Sequence, residues 1–468
     1  MKTRPTSEEE APPMTFWLGF RPELLTDLYQ FTMAASYWKE GMHGRAAFSL
    51  FIRDLPPHRA YFVAAGLQNI LDIIEGFCFD ETSLNYLRSL GRFPEGFLDY
   101  LKTVRFTGTI RAIPEGRIFF PNEPILEVTA PIIEGQLLET VIINTMHLEI
   151  MVATKASRCL HAARGRALID FSPRRTHGVD AALKAARSSY ITGFLGTSNV
   201  LAGQLYGIPV YGTMAHSYIT SFVHEMDAFR AYAAAFPDNT VLLLDTYDTL
   251  SAAEKALTIA RELHAQGKKL RGVRLDSGDL KHLSRRVHEL FCAHGFREVA
   301  IMASGNLDEY RVDDLLQSGA HIDLFGIGTR LGVSADAPYL DIAYKLVEYD
   351  GRPVLKLGPG KITWVGEKQV FRYYDPSGLM EHDALGLKQE NYPGSEPLLR
   401  PVVVQGRRTA PQESLDEIRA RFQADWERLP EDYKALKPEK TYPVHPSAPL
   451  RALHERVSQA RVAQEIRS

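Results

Sequence analysis

The chain has 468 residues, 45% hydrophobic and 24% charged, the ordinary composition of a globular protein with a sizeable core. Lys and Arg total 54 against 57 Asp and Glu, a formal net charge of −3, so no basic excess exists to hold nucleic acid or an anionic membrane. Three well-separated cysteines without a CxxC pair argue against a disulfide framework and a thiolate zinc site, and no run of about 18 uncharged apolar residues offers a membrane span.

Residues 1–19 carry glutamates and prolines where a signal peptide needs an apolar core, and read as a disordered tail of a cytoplasmic protein. Residues 20–150 read as an N-terminal α+β domain. Asp27 is an N-cap-type residue opening a helix through Ala35, RAAFSLFIR (45–53) has strand character, and 106–131 reads as strands broken by Pro and Gly turns. Helical periodicity over 133–164 leads into the next domain.

Residues 151–340 change rhythm. Short apolar runs at 167–171, 206–213, 240–246, 270–276, 297–304 and 321–328 alternate with amphipathic segments such as LSAAEKALTIARELHAQG and DLKHLSRRVHELFCAHG. Strands alternating with helices predict βα units on a parallel sheet, and six in succession without a reversal favour a TIM-like irregular α/β barrel over an open sheet. From about 341 to 468 the alternation fades into a C-terminal region with a strand hairpin, a charged helix (SLDEIRARFQADWERL) and proline-rich loops, folding back on the first domain.

Barrels place their chemistry at the carboxyl ends of the strands. Here those ends carry Ser172, Arg174 and Arg175; Thr213 and His216; Asp245 and Asp248; Arg274, Asp276, Ser277 and Asp279; and Ser304 and Asn306. Burying that many charges for packing alone is too costly. The loop Gly326-Ile327-Gly328-Thr329-Arg330-Leu331-Gly332 resembles a phosphate cradle, with glycines admitting backbone N–H groups and a following helix start adding its positive end; its bland alternative is a tight turn. RLDSGDL (274–280) joins an in-strand arginine, suited to phosphate or carboxylate, to two aspartates; a salt-bridged helix cap explains Asp279 but explains Arg274 poorly. Composition alone makes Tyr29 and Phe171 core aromatics. His216 and His224 lack a third ligand in range for structural zinc, and no GxSxG elbow occurs.

Taken in order, LLTDLYQFTMA (24–34), DFSPRR (170–175), GTSNVLAG (196–203), GTMAHS (212–217), LLLDTYDT (242–249), GVRLDSGDL (272–280), ASGNLDE (303–309) and GIGTRL (326–331) resemble the nicotinate phosphoribosyltransferase family. The resemblance implies formation of nicotinate mononucleotide and diphosphate from nicotinate and 5-phosphoribosyl 1-diphosphate, with ATP hydrolysis coupled, Mg²⁺ assisting and NAD as the eventual product. It also implies a homodimer with active sites shared at the subunit interface. Position by position, His216 matches the histidine that ATP phosphorylates. Phe171 and Tyr29 match the pair enclosing the pyridine ring, Tyr29 coming from the partner subunit. Arg174, Thr213 and Arg274 match positions around nicotinate and the phosphates. Asp276 and Asn306 fall where the ribose is held, and Gly326, Gly328 and Thr329 where the 5-phosphate binds. Ser198 stands where the related nicotinamide enzyme has an aspartate, and a hydroxyl suits a carboxylate better than a second carboxylate would. Two residues depart from the family pattern: Ser172, where glycine is frequent, and Thr176, where alanine is.

Two rivals are a nicotinamide phosphoribosyltransferase, against which Ser198 argues, and another phosphate-binding barrel enzyme, which needs a strand-end lysine or glutamate that is absent. A non-enzymatic scaffold predicts loss of the charged strand-end residues, yet Arg174, His216, Arg274 and Asp276 are all present. Specific Mg²⁺ ligands do not emerge from the sequence.

Overall fold

Two large sheets organise the protein, whose computed structural model describes residues 21–358 and 362–466. The tail expected over residues 1–19 lies outside the described residues. The first sheet is antiparallel and seven-stranded, in the spatial order Arg352–Pro353, Ile342–Tyr349, Arg45–Ile52, Leu126–Pro131, Thr109–Ala112, Arg400–Val404, Arg407–Arg408. Strands from beyond residue 341 therefore complete a sheet begun by the N-terminal ones. An interior strand, Arg45–Ile52, is buried at every position after Arg45, which explains its nearly continuous apolar run. Its polar exception, Ser49, donates to Glu127 at 2.8 Å, and Glu127 also accepts from Arg111 at 2.5 Å. A smaller four-stranded sheet follows in the C-terminal region.

The helix Glu139–Ala162 connects the two halves. Its 24 residues span about 36 Å at 1.5 Å per residue. It carries Glu149, Lys155 and Arg158 fully buried, and each has a charged partner.

The second sheet is wholly parallel, in the order Gly196–Thr197, Ala167–Asp170, Leu324–Ile327, Ala300–Ala303, Gly272–Leu275, Val241–Leu243. Beyond Thr197 a single parallel bridge reaches Val210. Leu324–Ile327, last of these strands in the chain, pairs with Ala167–Asp170, the first. One seam, between Val210 and Val241–Leu243, has no ladder among the described residues. The expected α/β fold with its parallel sheet is present. Amphipathic helices Val179–Ile191, Thr249–Ala265, Leu280–Ala293 and Glu309–Gln317 return the chain between strands.

Two strands differ from expectation. The segment 206–213 shrinks to the bridge at Val210, since Pro209 has no N–H to give a ladder. The two-residue strand Gly196–Thr197 has no apolar run to betray it. Asp248, Asp279 and Asp308 each accept the backbone N–H of the third residue beyond, so these strand-end carboxylates begin helices.

Candidate active site

Arg274 lies on the strand Gly272–Leu275 with a side chain only 14% exposed, and it is the organising cation at the carboxyl end of the parallel sheet. Its Nη2 donates to Asp276 Oδ1 at 2.6 Å and its Nε to Ser304 Oγ at 2.8 Å. Nη1 reaches Thr213 Oγ1 and the Met214 carbonyl, both at 3.3 Å. The Ser304 hydroxyl donates in turn to Asp276 Oδ1 at 2.5 Å. Burial pushes the Asp276 carboxyl up, but the Ser304 hydrogen bond and the charge and hydrogen bond of Arg274 outweigh it, holding the group below its ordinary value. Asp276 is therefore an anion held ready as an acceptor.

The Arg274 guanidinium also stands 5.4 Å from the centre of the Phe171 ring. Glycines also make room for this residue: a Cβ at 326 would lie 2.6 Å from Phe171 Cδ2 and Cε2, and one at 328 would lie 2.9 Å from the Phe171 carbonyl oxygen. The glycines of the loop thus already have a packing reason. The helix after them, Thr329–Gly332, is a single turn, so the expected N-terminal dipole is slight. Opposite, Gly305 (φ +88°) and Asn306 (φ 52°) both adopt left-handed backbone, and a Cβ at 305 would collide with the Asp276 carbonyl oxygen. This tight turn folds Asn306 over the strand end.

A cavity of about 210 Å³ is lined by Phe171, Arg174, Arg175, Arg274, Asp276, Ser304, Gly305, Asn306, Gly326, Gly328 and Thr329. A wider cleft sharing Asp276, Gly305 and Asn306 continues toward Asp308, Arg311 and Arg330. Most of the residues singled out from sequence therefore meet in one place. Thr213 joins them through Arg274. His216 begins the short helix His216–Thr220, and its Nδ1 sits 3.1 Å from Thr246 Oγ1. Ser198 follows the strand Gly196–Thr197, its N–H donating to the Asp170 carbonyl at 2.8 Å. Tyr29 is not brought in: it lies on the helix Leu28–Lys39, 51% exposed, and does not line this cavity.

Sequence reasoning gave no role to two residues here. Asp170 is fully buried and accepts from Ser172 N–H and the Thr197 hydroxyl; an acid closing an apolar strand was its available signal. Thr246, beside His216, carried none. Asp245, known from sequence only as a strand-end carboxylate, accepts from Ser277 Oγ with one oxygen, while the other, Oδ1, is buried without a hydrogen-bond partner. The departures Ser172 and Thr176 also acquire a setting: a Cβ at Gly332 would lie 2.6 Å from Ser172 Cβ and 2.7 Å from Thr176 Cγ2, so a glycine at 332 makes room for both.

A parallel α/β sheet with an arginine- and aspartate-lined cavity at its strand ends defines an α/β protein built to hold an anionic small molecule there. Family models for the nicotinate phosphoribosyltransferase N-terminal domain, the nicotinate phosphoribosyltransferase family and its C-terminal domain match residues 24–147, 166–371 and 394–454. Nicotinate phosphoribosyltransferase pncB2 of Mycobacterium tuberculosis is 49% identical over 419 residues, covering 89% of this chain and 88% of the relative. The Bacillus subtilis nicotinate phosphoribosyltransferase is 38% identical over 386 residues, covering 80% and 78%. The crystal structure of human nicotinic acid phosphoribosyltransferase superposes with a TM-score of 0.85 at 32% identity, covering 93% of this chain and all of that one. The chain belongs to the nicotinate phosphoribosyltransferase family.

Proposed function

We infer that the cavity at the parallel strand ends is where this chain carries out the reaction of its family in NAD biosynthesis. There nicotinate and 5-phosphoribosyl 1-diphosphate become nicotinate mononucleotide and diphosphate. The observation that carries this reading is the Arg274–Asp276–Ser304 network packed beneath Phe171, with Asn306 and the Gly326–Thr329 loop facing the same space. A cation and a flat ring stand beside hydrogen-bond acceptors, as a pyridine carboxylate and a phosphorylated ribose require.

In this reading the pyridine nitrogen attacks ribose C1 while the C1–O bond to diphosphate breaks. The nitrogen attacks with a free lone pair, so no base is needed to remove a proton. Catalysis consists of positioning and of stabilising the departing anion. Phe171 supports the ring, with Tyr29 of the partner subunit closing over it in a homodimer, a role its exposed position permits. Arg174 and Ser198 meet the nicotinate carboxylate, Asp276 and Asn306 hold the ribose, and the Gly326–Thr329 segment receives the 5-phosphate.

Mg²⁺ fits the site in a limited way. No group of three or more His, Cys, Asp or Glu suited to a metal occurs among the described residues, so the protein supplies only part of a coordination shell. The free Asp245 Oδ1, with Asp276 nearby in the same strand-end row, is an oxygen donor of the kind Mg²⁺ takes alongside substrate phosphates. Bound there, the ion would neutralise charge on the diphosphate.

His216 is assigned as the phosphoryl acceptor for coupled ATP hydrolysis. In the tautomer whose Nδ1–H donates to Thr246 Oγ1, Nε2 keeps the lone pair that forms the N–P bond as ADP leaves. No helix of the described residues is long and apolar enough to cross a membrane, and the composition suits a cytoplasmic enzyme. The test is incubation with γ-labelled ATP followed by assay for acid-labile protein label. Wild type is expected to take up label and His216→Ala none; equal labelling removes the assignment.

A further inference from the structure

Asp170 does not line the cavity, yet it bonds both the turn that carries Phe171 and Arg174 into it and the loop that carries Ser198. Its side chain is fully buried, at the end of the strand Ala167–Asp170. One carboxylate oxygen accepts the Ser172 N–H at 2.8 Å, and the other accepts the Thr197 hydroxyl at 2.7 Å. Thr197 Oγ1 is itself an acceptor for Asn199 N–H at 3.0 Å, so the hydroxyl hydrogen is committed to Asp170. The Asp170 carbonyl oxygen meanwhile takes the Ser198 N–H at 2.8 Å.

We propose that Asp170 is a positioning residue for the nicotinate pocket, its two oxygens fixing the Phe171–Arg175 turn against the Thr197–Asn199 loop. The inference rests on the assignment of Phe171, Arg174 and Ser198 to nicotinate given above.

The alternative, a carboxylate serving only as a turn cap, uses one oxygen. Such a cap belongs at the surface, where asparagine or serine does as well. Burying an anion is costly, and burial here drives the Asp170 carboxyl above its ordinary value against the hydrogen bonds it receives. What only a carboxylate provides is acceptance on both sides at once. Asparagine has one acceptor oxygen; its NH₂ would face the second lone pair of Thr197 Oγ1, turning the hydroxyl hydrogen away and replacing a charged hydrogen bond between the two loops with a weaker neutral one. Asp276, assigned to the ribose, is instead bonded to Arg274 and Ser304, which stand on and after other strands, away from this link.

The experiment is steady-state kinetics on purified full-length Asp170→Asn, Thr197→Val and Thr197→Ser, with nicotinate and the phosphoribosyl donor each varied in turn. Asp170→Asn and Thr197→Val are expected to raise KM for nicotinate about ten-fold, the effect of a lost charged hydrogen bond, with KM for the phosphoribosyl donor changed less than about two-fold. Thr197→Ser keeps the hydroxyl and is expected to restore the wild-type KM. An unchanged nicotinate KM in Asp170→Asn and Thr197→Val overturns the proposal, as does an equal rise in both KM values, which marks general loosening. Where Asp170→Asn does not fold, the Thr197→Val and Thr197→Ser pair decides, since both keep the carboxylate. Arg174→Ala run in parallel tests the underlying assignment separately. If it leaves nicotinate KM alone while Thr197→Val raises it, the positioning role stands and Arg174 loses its assigned contact.

Discussion

Replacing Gly326 by alanine separates two explanations of the same residue. A methyl built there lies 2.6 Å from two carbons of the Phe171 ring and 2.9 Å from Met302 Cε. Ordinary carbon–carbon contact is about 3.5–4.0 Å, so the ring must withdraw by about 1 Å. It is not fully buried, and can move toward the cavity; Met302 behind the methyl is 3% exposed and cannot easily yield. Overpacking of this kind costs about 1–3 kcal/mol, and a displacement of about 1 Å at a reacting centre can cost about a hundred-fold in rate. We therefore expect kcat/KM for nicotinate to fall about ten- to hundred-fold, with a modest drop in Tm. The assay is kinetics with each substrate varied, repeated in a Phe171→Ala background. If the methyl acts through the ring, Gly326→Ala adds little once the ring is gone. Weakened use of the phosphoribosyl donor alone, undiminished without the ring, refutes the reasoning and leaves the glycine to the phosphate.

Lys155 Nζ is buried between Glu309 at 2.5 Å and Asp336 at 2.7 Å, tying the end of the Ser304–Asn306 turn to the segment after the Gly326–Gly332 loop. Lys155→Met strands the fully buried Glu309 beside Arg158 alone and is expected to cost about 3–5 kcal/mol by denaturant titration; a loss below about 1 kcal/mol would show the pair to be energetically idle. Burial raises the Asp336 carboxyl, but Arg59 and Lys155 outweigh it and hold it at about 2. A carboxyl depressed on folding stabilises above its ordinary 3.8 and loses that contribution as pH falls toward about 2. In Lys155→Met this acid limb of a Tm–pH curve is expected at higher pH, and an unmoved limb argues against the coupling. Ser198→Asp is expected to lower kcat/KM for nicotinate at least about ten-fold relative to nicotinamide through like-charge repulsion; unchanged discrimination would place specificity elsewhere.

How much of the fold and site was legible in the sequence depended on whether the determining partner was near in the chain. The parallel strands announced themselves as apolar runs because both their faces are buried, and Arg274 stood out as a cation inside such a run. Gly196–Thr197 did not, since two residues held by neighbours on either side need no pattern of their own. Asp248 looked like chemistry and serves as a helix cap, while Asp279 is the cap its position suggested. Gly326 and Gly328 looked like a phosphate loop, and their closest neighbour is a phenylalanine far away in the chain. Asp170 showed only as an acid closing an apolar strand, because its role exists where two loops distant in sequence meet. These cases share one physical cause. Local pattern reports which face of an element is buried, while a site is made by what arrives from elsewhere to cover it. Glycine and aspartate are therefore the ambiguous letters, because one is chosen by the atom that comes too close and the other by the donors that come close enough. Phe171 and Asp170 are adjacent and sit on opposite sides of that distinction, the ring needing room at Gly326 and the carboxylate needing company at Thr197. A substitution at either is best judged from the partner's side.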